Sequence, residues 1–138
     1  MIPDVALELM NYLESKRTDI VGKSDITGKL KFITRDFNPD TGTPAIMVRS
    51  AGGPGRHVDI QSMAISYVQV WARATKPDQA NLLMRKIDNL LHRYGPEQMT
   101  DEMYVWHMAQ NTDIQSMDDP DTKFAQYFCV YEIVYRGV

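Results

Sequence analysis

The sequence has little cysteine, no long apolar run and no excess of basic residues. Cys129 is the single cysteine in 138 residues, which excludes a disulfide within the chain and a cluster of thiolate metal ligands. No apolar stretch approaches the roughly 20 residues that span a bilayer. Fifteen basic residues stand against 18 acidic ones, a formal net charge of −3, and this balance disfavours a dedicated nucleic-acid binder. The length fits one domain over residues 1–138, cytoplasmic in origin.

Signatures of catalysis are also missing. No G-x-S-x-G nucleophile motif occurs, and the three histidines lack the spacing of a zinc site. The aspartates between 113 and 121 lack the glycine of a calcium-binding loop, so we interpret residues 111–121 as a solvated acidic loop. Cys129 lies in an apolar strand pattern, where a thiol is usually inert. We therefore expect no enzymatic activity, no cofactor and no metal.

The stretch "SAGGPGRHVD", Ser50–Asp59, concentrates glycine in the middle of the chain. A phosphate-binding P-loop needs a lysine and a serine or threonine after its glycines and then a helix, whereas here a strand pattern follows. The spacing of Gly52, Gly53 and Gly55 also departs from the dinucleotide-binding motif. The stretch is predicted to be a flexible hairpin connection, in which glycine permits positive φ.

Two amphipathic helices and several strands are predicted around this connection. Helical spacing runs from Pro3 to Arg17, and again from Pro77 to a Gly95 that could close the second helix in a left-handed conformation. "AIMVRS", "MAISYVQVWARA", "EMYVWHMAQ" and "KFAQYFCVYEIVYRGV" read as strands, with a weak edge strand in "KLKFITRDF". This order predicts an α+β fold, a mostly antiparallel sheet with two main helices on one face.

The other face of that sheet is predicted to carry aromatic residues. Tyr67 and Trp71 alternate with Val68 and Val70, so the two pairs lie on opposite faces. Soluble monomers seldom leave much aromatic surface open, which makes Tyr67 and Trp71 candidate subunit contacts. The alternative is that Trp71 packs under a loop of its own chain.

With these elements in order, the chain resembles the tail terminator family of long-tailed bacteriophages, also called tail completion, head–tail joining or minor capsid proteins. The resemblance lies in "FNPDTGTPAIMVRSAGGPG", in "VDIQSMAISYVQVWARATKPDQANLLMRKIDNLL" and in the closing "AQYFCVYEIVYRGV". These segments are similar to the family's turn, strand and glycine-proline loop, to its V-Q-V-x-x-R-A strand with following helix, and to its last strand. The charged stretch 18–34 departs from the pattern.

The resemblance implies a structural virion protein at the head–tail interface, assembled in the host cytoplasm. Such proteins form a hexameric ring on the head-proximal end of the tail tube, stop tube polymerisation and offer a surface to the head connector. Genome DNA passes through the ring without sequence-specific binding. In this setting the glycine stretch is a candidate docking loop for the tube protein or the connector, with Arg56, His57 and Asp59 as its polar contacts.

Three other interpretations stay open at this point. The first is a head-side connector, a stopper or another minor capsid protein. The second is a small α+β ligand-binding domain or enzyme, which would need polar residues clustered at strand ends. The third is a cytosolic interaction module with no role in a virion.

Overall fold

The computed structural model describes residues 4–21, 31–33, 44–52, 55–56, 63–117 and 125–138. Of Val21, Lys31, Ile33, Gly55 and Arg56 it describes the backbone only. The helices are α1 (Val5–Ser15), α2 (Arg17–Val21) and α3 (Pro77–Leu91). The strands are β1 (Lys31–Ile33), β2 (Ala45–Ser50), β3 (Gly55–Arg56), β4 (Ala64–Ala74), β5 (Glu97–Gln98), β6 (Met103–Gln110), β7 (Gln115–Met117) and β8 (Ala125–Gly137).

All eight strands belong to one sheet, in the order β1-β2-β4-β8-β6-β5, with β3 beside β4 and β7 beside β8. The pairing of β1 with β2 is parallel, and the other pairings are antiparallel. The predicted α+β class with a mostly antiparallel sheet is confirmed. The weak strand at Lys31–Ile33 also forms, at one edge of the sheet.

One face of the sheet is covered by α1 and α3. The core between them contains alternate residues of β4 and β8, and their fully buried positions are Val68, Val70, Ala72, Cys129, Tyr131 and Ile133. From the helices, Leu9 and Ile87 enter the same cluster with no exposed surface. Burying a side chain of this size contributes about 1.5–3 kcal/mol. We call the opposite face of the sheet, which carries Tyr67, Gln69 and Trp71, the second face.

Helix α1 begins at Val5, two residues after the predicted start at Pro3. The Asp4 side chain is the N-cap and accepts a hydrogen bond of 3.3 Å from the backbone N–H of Leu7, which satisfies one donor that the first turn leaves without a helical partner. Glu8 is only 8% exposed, and Thr100 Oγ1 donates to its Oε2 at 2.5 Å. This contact ties the first helix to the segment that precedes β6, since a buried carboxylate needs a hydrogen-bond donor.

The end of α3 differs from the prediction. The helix ends at Leu91, and the left-handed residue that follows is Arg93, with φ 65°. Gly95 also has positive φ, +104°, as expected. However, Gly95 does not close the helix. It follows Leu91 by four residues and lies against the backbone of Trp106. Its conformation serves the packing of residues 93–98 along β6, where the Arg93 N–H donates to Met108 O at 2.8 Å.

The two long strands β4 and β8 are each bordered by a broken strand. Beside β4, β2 ends at Ser50 and β3 resumes at Gly55. Beside β8, β6 ends at Gln110 and β7 resumes at Gln115. The prediction that residues 111–121 form only a loop is therefore wrong at Gln115–Met117, whose pairing with β8 provides backbone partners that the local sequence does not reveal.

Candidate functional site

The glycine stretch continues the sheet rather than leaving it. After β2, the Ala51 N–H donates to Tyr67 O at 2.8 Å, and the Tyr67 N–H donates to Gly52 O at 2.7 Å. Gly55 and Arg56 then pair with Ile65 and Ala64 of β4. Ser50 ends β2, as the predicted strand "AIMVRS" has it, whereas the prediction of a loop is wrong at Gly55–Arg56, in β3. The described residues of this segment are therefore held by backbone pairing with β4.

Gly52 is the position in this stretch where the structure requires glycine. Its φ is +88°, and a Cβ built on it would meet no atom within 4 Å. The constraint is thus conformational rather than steric. Gly53, His57 and Asp59 of the predicted docking loop lie outside the described residues, and Arg56 is described by its backbone alone. Their role in docking stays a prediction.

Trp71 is covered within its own chain. Only 7% of its surface is exposed. Its ring stacks on Phe128 with centroids 4.5 Å apart, and the Arg49 guanidinium lies 5.7 Å from its centroid. Residues of neighbouring strands in its own chain therefore cover Trp71, whereas Tyr67 is half-buried. That these two residues contact another subunit stays a prediction.

A partly exposed cluster at the other end of the second face was missed from the sequence. We call Tyr104, Trp106 and Arg136 the aromatic–arginine cluster. The two rings meet edge to face with centroids 4.9 Å apart, and the Arg136 guanidinium lies 4.6 Å from the Tyr104 centroid and 5.8 Å from that of Trp106. Trp106 is 40% exposed. Tyr, Trp and Arg are the residue types that dominate binding energy at protein interfaces.

A bulge in β6 exposes this cluster. The register with β8 shifts between Val105 and His107, so Trp106 is an extra residue that does not follow the strand's alternation. Trp106 and His107 are consecutive and both exposed. The sequence signal that could have found the cluster is the i, i+2 spacing of two aromatic residues in one strand. The bulge itself leaves no such signal.

A cluster of polar side chains of the types found in catalytic sites, Tyr, Asp, Gln and His, lies under α3. Tyr131 Oη donates to Asp88 Oδ1 at 2.7 Å, and Gln110 Nε2 donates to the same oxygen at 2.7 Å. The backbone N–H of Gln110 donates to His92 Nδ1 at 3.2 Å. Each donor has an acceptor, so the cluster fastens α3 to β6 and β8. Burial raises the pKa of the Tyr131 phenol, and the hydrogen bond to Asp88 raises it further because it stabilises the protonated form.

The thiol next to this cluster is unsuited to nucleophilic attack. Burial raises the pKa of Cys129 to about 11, and its Sγ donates to Thr112 O at 3.2 Å. A reactive cysteine needs the thiolate near neutral pH. Among the residues that the structure describes, no group of three His, Cys, Asp or Glu side chains is placed to hold a metal ion. The absence of activity, cofactor and metal stays a prediction.

No helix in the described part of the chain is long and apolar enough to cross a membrane.

Comparisons with known proteins find a likeness in fold alone. No protein-family model and no curated protein sequence matches the chain. Among solved structures, the chain is similar to one from the virion of a native gene transfer agent particle, with a TM-score of 0.61 and 9% sequence identity. The match covers 96% of this chain and 95% of the other. At this identity the likeness shows a shared fold over almost the whole of both chains.

Proposed function

We propose that this protein is a structural component of a phage-like virion, and that it caps the head-proximal end of the tail tube as a ring. The observation that carries the proposal is the likeness in fold to a virion chain, which extends over 96% of this chain. The sequence motifs that resemble the tail terminator family support the same function independently. The ring stops tube polymerisation and presents a joining surface to the head connector.

Two candidate contact surfaces lie at the same end of the sheet. β3 pairs with Ala64 and Ile65 at the start of β4, which pair in turn with Tyr135 and Val134 near the end of β8. Arg136 of the aromatic–arginine cluster follows directly. We propose that this end of the sheet docks on the tail tube or the head connector, since the paired backbone of β3 and β4 lies near a Tyr–Trp–Arg cluster whose Trp106 is exposed, and these residue types serve as anchors at interfaces.

The net charge of −3 suits a conduit for DNA. A basic lumen would bind phosphates through counterion release and slow the passage of the genome. An acidic protein instead repels the backbone, so we expect DNA to pass through the ring without specific contacts. The ring is proposed to be a homohexamer, and a ring needs two different patches that meet around a rotation axis.

The proposal predicts where the protein is found and what it forms. We expect a six-fold ring with a central hole in negative-stain images of the purified protein, and we expect the protein in purified tails that lack heads. Its presence in tail-less heads instead would identify a head-side connector. Absence from both particles would contradict a virion role.

The docking role of the hairpin is tested by replacing Arg56 and Asp59 with alanine together. We expect the doubly substituted protein to fold and to form rings, while head–tail joining and the yield of infectious particles fall. Circular dichroism and light scattering provide the control for fold and assembly. A normal particle yield would show that these side chains do not contact the tube or the connector.

A further inference from the structure

Two short strands, β1 and β7, lie at opposite edges of the sheet and are aligned with each other across it. Lys31 of β1 pairs with Ala45, and Ile33 with Met47. We call residues that are paired across successive strands a row of the sheet. The row that starts at Lys31 crosses β2, β4 and β8 and ends at Met117 of β7, and the row that starts at Ile33 ends at Gln115. β1 and β7 therefore lie on the same three rows, at opposite edges, and each is three residues long.

The directions of these strands also match. β1 is parallel to β2, and β2 is parallel to β8 because both are antiparallel to β4. β7 is antiparallel to β8 and hence to β1. If β7 of one copy lies beside β1 of the next copy, and the core faces of the two sheets lie on the same side, the two strands are antiparallel and their residues are in register. Antiparallel pairing is slightly more stable per residue than parallel pairing.

Among the described residues, no strand pairs with the outer edge of β1 or of β7. All three residues of β7 are exposed, and Met117 keeps 45% of its surface exposed. Gln115–Met117 contains no lysine or proline, two devices by which edge strands avoid pairing with other chains. β7 is therefore a template for another strand.

The charges around the two strands are opposite. In the sequence, the seven residues centred on Phe32 include three basic residues and no acidic one, and the seven centred on Ser116 include three acidic residues and no basic one. Of these six charged side chains, the structure describes that of Asp113, which is exposed. Like charges disfavour β1–β1 and β7–β7 pairs, whereas opposite charges favour β1–β7 pairs, so the charge pattern selects unlike edges.

We infer that β7 of one copy pairs with β1 of a second copy of this chain, so that the sheet continues from subunit to subunit. The contact joins two different patches, which is the kind of interface that closes a ring. The inference rests on the proposed function for the existence of a ring, but the choice of edges rests on register, exposure and charge alone.

Disulfide trapping tests this contact. In the inferred register Lys31 of one copy is opposite Met117 of the next, and Cα atoms of opposed antiparallel residues are about 4.5–5.5 Å apart, within the range for a disulfide. Within one chain the two positions are separated by four strand spacings, roughly 19 Å, which excludes an internal bridge. We therefore expect the K31C/M117C variant, oxidised at high concentration, to give a ladder of covalent multimers on a non-reducing gel.

Single and displaced variants provide the controls. K31C and M117C alone should remain monomeric on the gel, as should K31C/L82C, because Leu82 is 55% exposed but lies on α3, away from the inferred contact. Native Cys129 is fully buried and should not contribute. Dimers from either single variant would mean that like edges pair and would overturn the inference.

Light scattering on the same samples separates this inference from the proposed function. Multimers in solution without a covalent ladder would overturn the β1–β7 contact and leave the ring intact. Monomers without a ladder would overturn the contact and count against the ring. A ladder that stops at the number of copies in the ring is the result that the inference requires.

Discussion

Gly95→Ala should lower the free energy of unfolding by about 2–5 kcal/mol, although glycine contributes no side chain to the core. A Cβ at this position would lie 2.8 Å from the carbonyl oxygen of Trp106 and 3.0 Å from that of Val105. Both atoms belong to the β6 backbone, which cannot move without disturbing its pairing with β8. The φ of +104° adds conformational strain for any L side chain.

Gly52→Ala is the matched control for this substitution. Gly52 also has positive φ, +88°, but a Cβ there would meet nothing within 4 Å. Only the conformational cost of about 1–2 kcal/mol applies. Urea unfolding monitored by circular dichroism measures both variants. Equal losses for the two glycines would show that the contact with Trp106 contributes nothing.

The same contact links Gly95 to the proposed docking surface. Trp106 is the extra residue of the β6 bulge, and Gly95 allows residues 93–98 to approach the backbone at this point. Gly95→Ala should therefore also change the environment of the aromatic–arginine cluster, which tryptophan fluorescence reports. A loss of stability with unchanged fluorescence would mean that the strain relaxes elsewhere.

Local patterns predicted the elements that local interactions determine. The helical spacing of Leu9 and Leu13 predicted α1, because the residues of one helix face recur within a few turns of the chain. Strict alternation in the last strand placed Cys129 and Tyr131 on the core face, and both are fully buried. Because side chains alternate between the two faces of a strand, the sequence determines which residues share a face, and only the choice of the covered face remains.

Features that depend on a distant partner were not predictable. β6 ends at Gln110, and the first part of β8 extends beyond the residues that pair with β6. β7 forms because this part of β8 offers its backbone groups to residues 115–117. Trp71 is covered by Phe128, 57 residues away in sequence, and by Arg49. The position of β1 and β7 on the same rows of the sheet follows from four successive strand registers. Each register depends on two separate segments of the chain, so no single segment encodes it.

Alkaline pH should destabilise the protein, because Cys129 and Tyr131 must lose protons that the native state holds. Burial raises the pKa of Cys129 from 9.0 to about 11. Burial and the hydrogen bond to Asp88 raise the pKa of Tyr131 above its ordinary 10.0. The native state then binds more protons than the unfolded state, so stability is complete below pH 9 and falls as the pH rises. Tyr12 and Tyr94, whose pKa values burial and nearby Glu97 raise, act in the same direction.

Between pH 9 and pH 11 we expect Cys129 and Tyr131 together to lower the free energy of unfolding by about 3 kcal/mol, of which Cys129 accounts for roughly half or slightly more. Urea unfolding at a series of pH values measures this slope. The C129A/Y131F variant should start from lower stability at pH 8 and show most of the slope removed. Ile133→Val, on the same buried face of β8, should cost about 0.5–1.5 kcal/mol and keep the wild-type slope. A slope in C129A/Y131F as steep as that of the wild type would mean that other groups release the protons, and that the cluster under α3 does not control alkaline stability.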